Sequence, residues 1–160
     1  MPKKHCLIYI PGIGDHRIGP QKTIIRSWQV FGVRTYVYPV GWADGKPFGP
    51  KLDKLLVQID RLAAAGGLVS LVGVSAGVGA ALNAYARRRQ TVNGVVCICG
   101  KVQNRQNINP GYFKRNPSFK DSMDMLPASL SNLNATDRAR ILSIHPIFDE
   151  LVPVRDTKIA

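Results

Sequence analysis

Five residues of this chain carry the most chemical information: Gly73-Val74-Ser75-Ala76-Gly77. A serine with glycine two positions away on each side can occupy the apex of a sharp strand-to-helix turn, its hydroxyl exposed and the positive end of a helix dipole beneath it. A hydroxyl so placed can attack an acyl carbon. The pattern alone is weak, since average glycine and serine usage produces it by chance in roughly one chain in twenty of this length. Its surroundings strengthen it. Leu68-Val69-Ser70-Leu71-Val72 before it is a strand-forming run, and Val78 to Arg89 after it contains Ala80, Ala81, Leu82, Ala84 and Ala86, helix formers small enough to pack on a sheet. The competing structural explanation is an ordinary tight turn with a serine helix cap.

The elements around this turn alternate. Cys6 to Ile10 is an apolar run of the kind buried on both faces of a sheet, and it ends in the turn Pro11-Gly12-Ile13-Gly14. A helix is predicted over about 21–31, and a strand over 33–38, stopped by Pro39. After a glycine- and proline-dense loop over 41–50, Leu52, Leu55, Leu56, Ile59, Leu62 and Ala63 recur at helical spacing until Gly66-Gly67. Asn93-Gly94 introduces a strand over 95–99, and the last strand spans 140–145. This alternation predicts an α/β fold, a three-layer α/β/α sandwich around a mostly parallel sheet, with functional loops at the carboxyl ends of the strands. The chain reads as a single domain over 1–160. Its irregular polar segment at about 101–137, with a helix within 119–132, is expected to form a lid or binding insertion.

In a parallel sheet three strand ends are then expected at one edge: Pro11 to Asp15, Ser75 with Ala76, and Asp149 in Ile147-Phe148-Asp149-Glu150-Leu151-Val152-Pro153. The combination resembles the α/β-hydrolase superfamily, in its serine esterase and lipase branch, over nearly the whole chain. The resemblance implies that Ser75 is the nucleophile and that Asp149 orients a histidine. It also implies that the backbone N–H groups of Ile13 and Ala76 stabilise an oxyanion, in the cleavage of a carboxylic ester or related acyl bond through an acyl-enzyme. It implies a small-molecule acyl substrate and no cofactor or metal. Pro11-Gly12 stands where small lipases often carry His-Gly, a departure that leaves the backbone donor in place. The larger departure is the histidine, which should follow Asp149 and is absent from there to Ala160. The sequence therefore leads us to expect the N-terminal part of a longer hydrolase, lacking its last strand and helix. The alternative is a non-catalytic module of the same fold that binds a ligand or protein. Of the histidines present, His16 beside the glycine turn reads as a polar loop residue, His145 as a structural residue of the last strand, and His5 as remote from the functional edge.

Other residues bound the function less tightly. The 160 residues are 45% hydrophobic and carry a net charge of +12 with a sequence pI of about 10.1. The charges are scattered, and the one dense cluster, Arg87-Arg88-Arg89, closes a predicted helix where cations complement the dipole. With no stacking or helix-turn-helix signature, nucleic-acid or anionic-surface binding is the weaker reading. Cys6, Cys97 and Cys99 lie in apolar runs and read as buried free thiols of a reducing compartment. The apolar run ending at Pro11 is too short for a signal peptide or a membrane span, so a cytoplasmic protein is expected. Asp15 is expected to bond local backbone, Asp121 and Asp124 to be solvated, and Trp42 and Phe48 either to pack or to line a substrate pocket.

Overall fold

The computed structural model describes residues 4–103, 108–145, 154–157 and 159. Five parallel strands form its sheet: β1 (Lys4–Ile10), β2 (Val33–Val37), β3 (Gly67–Val74), β4 (Val92–Ile98) and β5 (Ile141–Ile144), in the order β2-β1-β3-β4-β5. The only reversal in this order falls between β1 and β3, the crevice at which open α/β sheets bind ligands. The pairing runs Ile10 with Gly73, Val74 with Ile98, and Ile98 with Ile144, so the exits of β1, β3, β4 and β5 lie side by side.

The helices are α1 (Gly19–Ser27), α2 (Gly49–Ala64), α3 (Gly77–Arg87), α4 (Pro110–Arg115), α5 (Pro117–Ser131) and the short α6 (Ala135–Arg138). Helices α2, α3 and α5 cover one face of the sheet. There Cys6, Ile8, Ile10, Val69, Leu71, Val95 and Cys97 meet Leu52, Leu55, Ile59, Leu82, Tyr85, Met123 and Leu126 in the main core. Helix α1 covers the other face, where Tyr9, Ile25 and Val72 are buried with Leu7, Trp28 and Val74 packed around them. This is the three-layer arrangement predicted from the alternation, and a right-handed crossover accounts for it. A connection leading leftward from β1 to β2 falls on the opposite face from those leading rightward. On the α1 side the cover ends before the last strand, leaving Leu142 and Ile144 58% and 47% exposed.

Several boundaries differ from those predicted. The helix expected over 21–31 starts at Gly19 with Pro20 in its first turn and tightens into a 3-10 turn, Trp28–Phe31, closed by Gly32 in a left-handed conformation. Strand β4 starts at Val92, because parallel pairing with β3 extends it through the Asn93-Gly94 turn signal. The segment between β4 and β5 carries more helix than its asparagines and prolines suggest. Asn109 caps α4 through its side chain, and Pro117 opens α5, which packs on α3 and buries Phe119, Met123 and Leu126 in the main core.

Candidate active site

Ser75 lies between β3 and α3, exposed, with a φ of 52°. Among the described residues only Ser75 and Cys99 combine a side chain with a left-handed backbone. Such a conformation is uncommon for a serine and persists only where its neighbours hold it. Here the glycines do so by what they leave out. A β-carbon on Gly77 would fall 2.1 Å from the Ile10 carbonyl oxygen, and one on Gly73 would fall 2.6 Å from the Gly77 oxygen. Either glycine would be forced aside by any side chain, so α3 can start directly against the exit of β1 only with both in place. The Ser75 N–H donates to the Ile98 carbonyl at 2.8 Å, extending the ladder by one residue before the chain turns.

The turn after β1 faces this serine. A β-carbon on Gly12 would lie 3.0 Å from the Ser75 β-carbon and 3.5 Å from its Oγ, so the backbone of the Pro11–Gly14 turn runs against the hydroxyl. Among the described residues the N–H groups of Ile13 and Ala76 have no hydrogen-bond partner. Two bonds fix the turn from behind: the buried Asp15 carboxylate accepts the Gly41 N–H at 2.5 Å, and the Trp42 indole N–H donates to the Pro11 carbonyl at 3.0 Å. Asp15 thus bonds the backbone of a distant loop rather than its own turn. Trp42 and Phe48 are fully buried and stack at 6.1 Å, with Phe119 edge-on to Trp42, which makes them packing residues.

Behind that loop lies a second polar cluster that sequence reasoning missed. The buried Lys51 ammonium donates to the Gly41 carbonyl, Asp44 and the Ser118 hydroxyl at 2.6, 2.6 and 2.7 Å, tying the loop after β2 to α5. Burial pushes the Asp44 carboxyl up, but hydrogen bonds from Lys51 and the Lys46 backbone, with the charges of both lysines, outweigh it and leave the carboxyl below its usual range. Asp121, expected in solvent, accepts the Phe48 N–H at 3.1 Å, while Asp124 pairs with Lys120 one helical turn away.

On the far side of Ser75, Cys99 follows β4 with a φ of 51° and donates its N–H to the Ile144 carbonyl at 2.9 Å. Two residues on, Lys101 and Asp156 form an ion pair at 2.5 Å with side chains only 5% and 4% exposed. The Asp156 carbonyl also accepts the N–H groups of Val102 and Gln103. The return of the chain after β5 is thereby fastened to the exit of β4. No spacing in the sequence announces this pair, whose members lie 55 residues apart. Asp149 lies outside the described residues. His16 is exposed in the 3-10 turn Asp15–Arg17, His145 is exposed just past β5, and His5 is exposed near the opposite end of β1.

The remaining polar features are local. Arg87, Arg88 and Arg89 face Asp53, Asp60 and Asp137 at 3.6, 2.8 and 3.9 Å, which neutralises much of that cluster. Cys6 and Cys97 are buried free thiols, and burial pushes Cys97 up to about 12. No helix among the described residues is long and apolar enough to cross a membrane.

Neither a protein-family model nor a curated protein matches the sequence. Solved structures do match the fold. A metagenome-derived lipolytic enzyme, from work on LipS and LipT, superposes with a TM-score of 0.69 at 10% identity, over 94% of this chain and 75% of its own. Est1E from Butyrivibrio proteoclasticus gives 0.68 at 13% identity, over 96% and 71%. N-formylmaleamic acid deformylase from Pseudomonas putida gives 0.67 at 12%, over 98% and 79%. The chain has the α/β-hydrolase fold.

Proposed function

We propose that this α/β-hydrolase-fold chain is a serine hydrolase that cleaves a carboxylic ester or related acyl bond through an acyl-enzyme on Ser75. The observation that carries the proposal is the serine itself: exposed, left-handed, at the exit of a central strand and against a glycine turn. In this reading the Ser75 Oγ attacks the acyl carbon and the N–H groups of Ala76 and Ile13 receive the developing oxyanion. Asp149 orients the histidine that takes the serine proton. The lipolytic enzyme and the deformylase among the structural neighbours support hydrolysis of an acyl bond in a small molecule, at identities that leave the substrate open.

No histidine stands between Asp149 and Ala160, so the general base in the order serine, acid, histidine is not among these residues. A serine without its base keeps the stabilisation of the oxyanion donors but loses several orders of magnitude in turnover. The 160 residues alone are therefore expected to hydrolyse p-nitrophenyl acetate very slowly while still forming a covalent adduct. Incubation with a fluorophosphonate, followed by peptide mass spectrometry, should place one slow adduct on Ser75, lost in Ser75→Ala. No adduct, or an adduct elsewhere, would remove the nucleophile assignment. The second reading is a non-catalytic binding module of this fold. Absence of any Ser75 adduct under forcing probe concentrations would favour that module.

A further inference from the structure

Gly41 is held at both of its backbone groups, and one of the two holders is a buried cation. Its N–H donates to the Asp15 carboxylate, and its carbonyl, in the peptide that leads to Trp42, accepts from the Lys51 ammonium at 2.6 Å. Trp42 in turn donates its indole N–H to the Pro11 carbonyl at 3.0 Å. Lys51 therefore reaches the turn Pro11–Gly14 along two short routes, through Asp15 just after the turn and through Trp42 at its start. On its other side the ammonium donates to Asp44 and to Ser118 at 2.6 and 2.7 Å, so all three of its protons are engaged. Ser118 is buried in the first turn of α5, and two further contacts join α5 to the same loop: Asp121 accepts the Phe48 N–H, and Phe119 stands edge-on to Trp42. Lys51 itself sits in the first turn of α2, where the helix dipole disfavours a cation and burial penalises one. None of its three acceptors belongs to α2, so its bonds serve the loop and α5 rather than its own helix.

We propose that Lys51 is a positioning residue for the acyl site: it fixes the segment Gly41-Trp42, and through Asp15 and Trp42 it carries the seating of α5 to the turn that presents the Ile13 N–H. This rests on the reading of that N–H as an oxyanion donor. With all its protons taken elsewhere, Lys51 touches no reacting atom, and its effect runs through Gly41. Oxyanion donors act only from the place where charge develops, so a turn displaced by part of an ångström loses rate in the chemical step and leaves binding unchanged.

Labelling of Ser75 by a fluorophosphonate, in which the serine oxygen bonds to phosphorus and fluoride leaves, tests this when the limiting rate and the half-saturating concentration are measured separately. Lys51→Met and Asp15→Ala should lower the limiting rate about tenfold or more and leave the half-saturating concentration within about twofold. Asp15→Asn keeps an oxygen for the Gly41 N–H and should restore the rate to within about threefold of the parent. Tyr85→Phe removes one buried hydrogen bond near the far end of α3, so it should lower the melting temperature while labelling at the parent rate. In two-dimensional amide NMR spectra the Gly12 and Ile13 signals should move in Lys51→Met and in Ser118→Ala and stay in place in Tyr85→Phe. Circular dichroism checks folding, and if Lys51→Met does not fold, Ser118→Ala and the two Asp15 variants carry the same readings. A parent-like limiting rate in Lys51→Met, Asp15→Asn as slow as Asp15→Ala, or Gly12 and Ile13 signals unmoved in Ser118→Ala overturns the proposal. A parent chain that takes no adduct sinks the hydrolase reading instead, and the amide signals still decide whether Lys51 sets the turn.

Discussion

Gly77→Ala tests the mechanical basis of the Ser75 turn. The added β-carbon would lie 2.1 Å from the Ile10 carbonyl oxygen, 2.8 Å from its carbon and 2.9 Å from the Pro11 oxygen, where 3.0 Å is the limit real β-carbons respect. The obstructing groups are backbone, and β1 is hydrogen-bonded on both sides, to β2 and to β3, so it cannot withdraw. Helix α3 must move instead, by about 0.9 Å to bring the closest contact from 2.1 to 3.0 Å. Its residues from Gly77 to Tyr85 are buried, so the displacement spreads into a close-packed core. Overpacking of this kind costs about 1–3 kcal/mol, occasionally more, and a backbone clash belongs at the upper end. At roughly 2–4 °C per kcal/mol for a chain of this size, about 3 kcal/mol lowers the melting temperature by about 6–12 °C. The same shift moves Ser75, and a displacement near 1 Å costs about a hundredfold in a reaction that depends on alignment, so fluorophosphonate labelling should slow comparably. Gly49→Ala is the control, since its β-carbon meets nothing within 4 Å at the start of α2. It should be neutral or stabilising. Differential scanning fluorimetry and labelling rates read both effects. A Gly77→Ala protein melting within about 2 °C of the parent would refute the reasoning, because it would mean that the helix start yields freely.

Ser75→Gly should abolish labelling while raising the melting temperature, since glycine adopts a φ of 52° without the roughly 1 kcal/mol or more that a side chain costs there; an unchanged or lower value means the conformation is not strained. Lys101→Met leaves the buried Asp156 carboxylate only the exposed Arg155 guanidinium at 3.8 Å, which should cost about 3 kcal/mol in a urea titration, and Lys101→Met with Asp156→Leu should recover much of it. In the native protein Cys99, partly exposed, should react with iodoacetamide well before Cys6 and Cys97, whose burial, and for Cys97 a thiol pushed up to about 12, keeps the thiolate scarce at neutral pH; mass spectrometry of partially alkylated protein orders the three. The Asp44 carboxyl is lowered in the folded chain, so its pairing with Lys51 stabilises above the unfolded carboxyl range near 3.9 and is lost as the pH falls through the folded value. Asp44→Asn should flatten the acid limb of a stability–pH curve and leave its neutral-to-alkaline part parallel to that of the parent.

How far the sequence determined this protein follows from the range of the forces involved. The alternation of apolar runs with helical spacing is local, so it disclosed the parallel sheet and its helices, and the paired glycines disclosed a sharp turn at Ser75, because steric demands of that kind involve neighbours in the chain. Local signals misled where pairing decided the outcome. Strand β4 runs through Asn93-Gly94 because β3 offers a ladder, and the Asn109 cap and the burial of Phe119, Met123 and Leu126 make helices α4 and α5 out of residues 110–131. What only the tertiary structure decided are contacts between residues far apart in the chain. Asp15 with Gly41, Lys51 with Ser118, and Lys101 with Asp156 join groups 26, 67 and 55 positions apart. None of these has a periodicity or spacing to betray it, since each depends on two segments distant in the chain arriving at the same place in the fold and on burial making an unpaired charge too costly to leave. The closeness of Gly12 to Ser75 is of the same kind: both residues stood out in the sequence, but only the adjacency of β1 and β3 in the sheet sets one against the other.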